Sequence, residues 1–145
     1  MEKKEYQTRI AASRNQVWEV LWGENTYPQW TAAFSEGSKV ETTWEEGDKV
    51  LFLNGENEGM VSRIREKKVP ERMVFEHLGM VDKTGKEDTE SEKVKEWAGS
   101  KEIYDLEEQN GETVLKVTMD TNEEYKDFFD NTWPKAFEKL RQLSE

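Results

Sequence analysis

Apolar side chains recur along the C-terminal end of the chain at steps of three and four: Tyr125, Phe128, Phe129, Trp133, Ala136, Phe137, Leu140 and Leu143. That spacing places them on one face of an α-helix running from Asn122 to Ser144. Glu124, Lys126, Asp127, Lys135, Glu138, Lys139 and Arg141 fall mostly on the other face. Pro134 interrupts the pattern. It has no N–H to give to the carbonyl of Asp130, and its ring crowds that turn. A kink near Asp130–Trp133, or two helical pieces in line, is expected.

Upstream, the period changes several times. Glu5 to Ala11 alternates weakly and reads as a first strand, with Tyr6, Thr8 and Ile10 on one face. Ser13 and Gln16 have capping-box spacing, and a short helix follows with Val17, Val20 and Leu21 inward. Gly23 is placed to stop that helix in a left-handed cap. Asn25 to Ala33 reads as a second short helix, with Pro28 in its first turn and Tyr27, Trp30 and Phe34 on its buried side. From Ser38 the period becomes two. Strands are predicted over 38–45, 49–53, 59–68, 72–80, 102–108 and 112–120. Asn54-Gly55 and Asn110-Gly111 are hairpin signals, because both residue types tolerate positive φ. The strands form an antiparallel meander without crossover helices. Val81 to Gly99 is a long polar run with one aromatic, Trp97. It reads as a solvated loop, or as a lid over a cavity mouth anchored by Trp97.

Composition changes this picture little. At 145 residues the chain is expected to be one domain, 1–145, with room for a core. Its charged fraction of 37% and net charge of -11 lean towards disorder, but six Trp, six Phe and four Tyr supply large burial per residue. The negative balance and the lack of a basic patch argue against nucleic acid and against anionic membranes. There is no long apolar run and no recognisable signal or lipidation motif. With no cysteine, there is no disulfide, thiolate nucleophile or cysteine-based metal site. A cytoplasmic protein is the simplest expectation, and a monomer the simplest assembly.

The order of elements, and six short segments in sequence, carry a resemblance. Val17-Trp18-Glu19-Val20-Leu21, Tyr27-Pro28-Gln29-Trp30-Thr31, Glu46-Gly47-Asp48-Lys49-Val50, Gly59-Met60-Val61, Phe75-Glu76-His77-Leu78-Gly79 and Thr132-Trp133-Pro134-Lys135-Ala136 look like bacterial proteins related to the C-terminal domain of the activator of heat-shock protein 90 ATPase. These sit within the START-like, or Bet v 1-like, SRPBCC superfamily. The resemblance covers nearly the whole chain. It implies an α+β helix-grip fold in β-α-α-β6-α order. A curved seven-stranded antiparallel sheet would wrap around the long C-terminal helix. It also implies a hydrophobic ligand between sheet and helix, or a chaperone partner and a link to stress response. Fold alone does not choose between these.

Candidate chemistry is sparse. His77 is the only histidine, and its neighbour Glu76 points to the opposite face of a strand, so the two are no dyad. His77 reads as an inward-facing structural or ligand-orienting residue, or as a general acid/base whose partner the sequence does not name. One histidine and no cysteine disfavour a metal site, and no cofactor motif is present. The rings Trp30, Phe34, Trp44, Phe52, Phe75, Tyr104, Phe129, Trp133 and Phe137, with Met60, either fill the core or line a cavity there. Ser62, His77 and Tyr104 would be its few polar groups. Three functions follow as alternatives: a non-enzymatic binding domain for a small hydrophobic or aromatic molecule, a chaperone-type interaction module, or a cyclase- or hydrolase-like enzyme using His77.

Overall fold

The computed structural model describes all residues from Met1 to Glu145. The strands are β1 (Glu2–Ile10), β2 (Lys39–Glu41), β3 (Lys49–Leu53), β4 (Gly59–Lys68), β5 (Arg72–Val81), β6 (Glu87–Asp88), β7 (Lys101–Gln109) and β8 (Glu112–Thr121). The helices are α1 (Arg14–Trp22), α2 (Tyr27–Thr31), α3 (Glu92–Lys95) and α4 (Glu123–Ser144). The main sheet runs β1-β8-β7-β5-β4-β3-β2, with β6 beside the end of β5. Every pairing is antiparallel, and the first strand closes against the last. This is the helix-grip arrangement. Helices α1 and α2 and the last helix cover one face, and the core lies between them.

Local chemistry explains most boundaries. The Ser13 hydroxyl accepts the amide N–H of Gln16 and caps α1. Gly23 ends α1, but not in a left-handed turn: its backbone is extended, at φ -66 and ψ 142. A Cβ there would lie 2.6 Å from the Glu19 carbonyl and 2.6 Å from the Thr26 hydroxyl, so close approach, not dihedral freedom, requires glycine. Helix α2 is shorter than its apolar pattern suggested. Asn110 and Gly111 both have positive φ, as a tight hairpin demands. The Asn54-Gly55 hairpin forms differently. It is a longer loop whose left-handed residue is Asn57, and the Asn54 side chain accepts the amides of Glu56 and Glu58.

Two more expectations are corrected. The segment 81–99 is not a bare loop. It holds β6 and α3, and Val94 (2% exposed) is its anchor, whereas Trp97 is only half-buried. The strand expected over 38–45 stops at Glu41. A bulge in β5 at Leu78 pairs Val61 with Gly79 and Ser62 with His77, so β5 reverses its own alternation there while β4 keeps Met60 and Ser62 on one face, with Met60 half-buried between Phe52 and Met80.

Helix α4 runs unbroken through Pro134, so the two-piece alternative does not form. The Thr132 hydroxyl donates to the Phe128 carbonyl at 2.6 Å one turn earlier, and Pro134 itself sits on the exposed side. Carbonyls on that side can turn to water. Pro134→Ala adds back one helical N–H, and we expect it to leave stability unchanged or raise it slightly, as read by urea denaturation. A clear loss would show that packing depends on the proline. The first turns of α4 run past the sheet, which leaves Tyr125 and Phe128 at 51% and 45% exposed. The apolar stripe is therefore longer than the face it covers.

Candidate functional site

Two regions on the gripped face carry chemistry. The first is a row of polar side chains across three adjacent strands. Ser62 on β4 is opposite His77 on β5, and its Oγ lies 2.7 Å from Nδ1 of the imidazole. On the other side, His77 Nε2 lies 3.2 Å from Oε1 of Glu102 on β7. The Tyr104 hydroxyl, two residues along the same strand face, donates to Oε2 of that carboxylate. Burial alone would raise the Glu102 pKa, but hydrogen bonding and charge from His77, with the bond from Tyr104, hold it below its ordinary value. An ionised Glu102 only accepts, so Nε2 carries a proton, and in the neutral ring Nδ1 accepts from Ser62. Burial and the Glu102 charge push the Tyr104 phenol well up, and Tyr27 is raised by the same two causes. The His77 backbone is pinned as well: its N–H donates to the Ser100 carbonyl, and its C=O accepts from Gly99.

Glu102 is the partner that the sequence did not name for His77. It lies 25 residues downstream and reaches the imidazole only because β6 and α3 are bypassed and β7 pairs directly with β5. The only signal was a charged residue at an inward position of a strand that otherwise presents Tyr104 and Leu106. Ser62, His77 and Glu102 connect in the manner of a nucleophile, base and orienting acid. Ser62 is fully buried, however, and His77 is 7% exposed. Neither lines the two clefts described next.

Those clefts lie where α1 and α2 meet the β2–β3 end of the sheet. A cleft of ≈ 560 Å³ runs between α2 and β2, walled by Trp22, Tyr27, Pro28, Val40, Thr42 and Trp44, with Glu24, Lys39 and Glu41 also lining it. A smaller one of ≈ 220 Å³ is lined by Trp18, Trp22, Trp44 and Met73, together with Glu19 and Lys67. Trp22 and Trp44, with ring centroids 5.7 Å apart, line both. The Trp22 ring also stands edge-on against Tyr104 at 4.9 Å and Phe75 at 5.4 Å, so the clefts and the polar row share a wall. Trp44 has φ 62, a left-handed conformation that a bulky residue avoids. Its amide donates to the Thr42 hydroxyl, and its carbonyl accepts the Lys67 ammonium at 2.6 Å.

The remaining predicted residues fill the grip. Trp133 is surrounded by Tyr6, Trp30, Phe34, Tyr104 and Phe137 at 4.8 to 6.2 Å. Phe129 packs on Phe34, and Phe52 stands against Phe75 and His77. Of the twelve predicted residues, the structure gathers Phe52, Ser62, Phe75, His77 and Tyr104 at the polar row and Trp30, Phe34, Phe129, Trp133 and Phe137 under α4. Trp44 lies in the clefts, and Met60 lies outside all three groups. Trp22 and Tyr27 also line the larger cleft; the sequence pattern marks Tyr27 only as a buried helix residue and does not single out Trp22. No three or more His, Asp or Glu side chains are grouped to hold a metal ion, and no helix is long and apolar enough to cross a membrane.

Comparison with known proteins agrees with this architecture. A solved protein from Mesorhizobium loti, MLL2253, superposes with a TM-score of 0.75 at 12% identity, over 98% of this chain and 96% of that one. The Aha1 dimer from Colwellia psychrerythraea gives 0.73 at 13% identity, over 100% and 97%. CalU16 from Micromonospora echinospora gives 0.68 at 15% identity, over 99% and 76%. At such identities the likeness is one of fold. No functionally curated protein matches in sequence. The model of the family described as activator of Hsp90 ATPase homolog 1-like protein matches residues 11–145, and the chain belongs to that family.

Proposed function

We propose that the protein is a binding domain for a small hydrophobic or aromatic molecule, which it holds without changing it chemically. The carrying observation is the ring-walled cleft between α2 and β2. Its ≈ 560 Å³ lies within the ~300–1,000 Å³ typical of small-molecule sites. It opens beside the second short helix, and its inner wall, Trp22, leads to the polar row. The rings under α4 already pack on one another, so a ligand enters from this side and reaches the sheet through Trp22 and Trp44. His77 and Glu102 then orient it indirectly, through Tyr104.

The test is a screen of fatty acids, flavonoids, sterols, aromatic polyketides and aromatic amines by thermal shift and NMR. A ligand is expected to raise the melting temperature with concentration. It should also move the signals of Trp22, Tyr27 and Trp44 together, with smaller changes at Phe75 and His77. If no class moves them, the reading fails. One observation favours a second reading, an interaction module with a chaperone-type partner: Tyr125 and Phe128 are exposed on α4, with Phe128 edge-on to Phe34. In that case a partner would shift those rings and leave the cleft silent.

A further inference from the structure

Resting on that reading, we propose the ligand's chemical class: an organic cation, an ammonium group carried on an apolar or aromatic body, seated in the cleft that Trp22, Tyr27 and Trp44 line. Aromatic faces attract cations through their quadrupole, by about 0.5–1 kcal/mol when exposed and ~2 kcal/mol when water is excluded. Three aromatic residues line this cleft. The charges around it point the same way. Glu24 and Glu41 are set against one ammonium, Lys39, and behind Tyr27 lies the ionised Glu102, whose charge already acts on the Tyr27 phenol. The chain as a whole carries a net charge of -11, which draws cations in and turns carboxylates away.

The neighbouring cleft supplies an independent observation. There the protein brings its own ammonium to a tryptophan-lined wall: Lys67 Nζ donates to the Trp44 carbonyl at 2.6 Å and lines that cleft together with Trp18, Trp22 and Trp44. That carbonyl is available because Trp44 adopts φ 62, where the peptide turns away from the path a strand would take. Strain of this kind persists only where the surroundings hold it, and it clusters at binding sites. Here the Trp44 ring packs on Trp22, and the pair lines both clefts.

The experiment uses three probes with one body and different heads: naphthylmethyl-trimethylammonium, naphthylmethanol and naphthylacetate. Each is titrated into the full chain at low salt and followed by amide and indole NMR. The ammonium is expected to bind about tenfold more tightly than the alcohol, and the carboxylate most weakly. The ammonium's shifts should centre on Trp22, Tyr27 and Trp44. In the double variant Glu24→Gln, Glu41→Gln, both exposed positions, the ammonium should lose severalfold in affinity while the alcohol is unchanged. Trp44→Leu should weaken the ammonium more than the alcohol, with the melting curve reporting that the variant is folded. Carboxylate binding as tight as the ammonium's would overturn the inference and leave the binding-domain reading standing. Ammonium shifts scattered over the acidic surface would also overturn it. If none of the three probes reaches the cleft signals, both fall.

Discussion

Trp133→Ala should destabilise the protein by ~3–5 kcal/mol, the range for emptying a large aromatic site in a core. Trp133 is 2% exposed and sits where α4 meets the sheet. Phe34 is 4.8 Å away centre to centre and Phe137 5.2 Å, while Tyr6 stacks at 6.0 Å from the first strand. Trp30 and Tyr104 close the other sides. Its indole N–H points at the Met119 sulfur at 3.2 Å, a weak acceptor, so little of the loss is hydrogen bonding. The cost comes from lost transfer energy plus the void left behind. That void cannot collapse easily, because its walls belong to α2, α4, β1 and β7 and are each held by other contacts. Urea denaturation measures the effect, and a loss below ~1 kcal/mol would mean that the neighbouring rings close over the gap. Trp133→Phe keeps a ring in place and should recover more than half of the loss.

Periodic patterns were the legible part of this fold. The three-and-four spacing in α4, the two-residue alternation in β8 and the Asn110-Gly111 turn each depend on local chemistry, and each appears as read. What sequence could not show are features set by pairing across distance. The extra residue in β5 opposite Val61 and Ser62 reverses that strand's alternation beyond His77, and nothing local announces it. Trp44 looked like one more inward strand residue in an alternating run. The left-handed turn at that position is held by Lys67, 23 residues away, and by Thr42. Val94, in a run of charges, anchors 81–99 because α3 packs on β5. The candidate site follows the same rule. His77 was visible because it is unique, whereas Glu102 was one of many acids until β7 was laid beside β5.

Glu102→Ala is expected to destabilise the protein by about 3–5 kcal/mol, since it removes the shared acceptor of two buried donors and leaving each unpaired costs ~1–3 kcal/mol. His77 Nε2 and the Tyr104 hydroxyl would both lose their acceptor inside the grip. The pH dependence distinguishes this from simple loss of packing. The Glu102 pKa is lower in the folded chain than its ordinary value of 4.5. The folded state therefore holds the proton less readily than the unfolded state does. The stability this provides is fully present above 4.5 and is lost as pH falls through the folded value. Glu102→Gln keeps the shape and can still accept from one neighbour, but it does not titrate. Its stability deficit relative to the parent should be largest near neutral pH and shrink as both are taken below pH 4.5. Other carboxylates, Asp130 beside Tyr6 and Glu71 beside Lys68 among them, also lie below their ordinary values. They are common to both proteins and cancel in the difference. Parallel melts of parent and Glu102→Gln from pH 7 down to the limit of folding measure the gap directly. A deficit that stays constant across that range would mean that Glu102 is held for its shape, not its charge. A deficit that closes on the acid side would identify the carboxylate charge as what ties Ser62, His77 and Tyr104 into one unit behind the cleft.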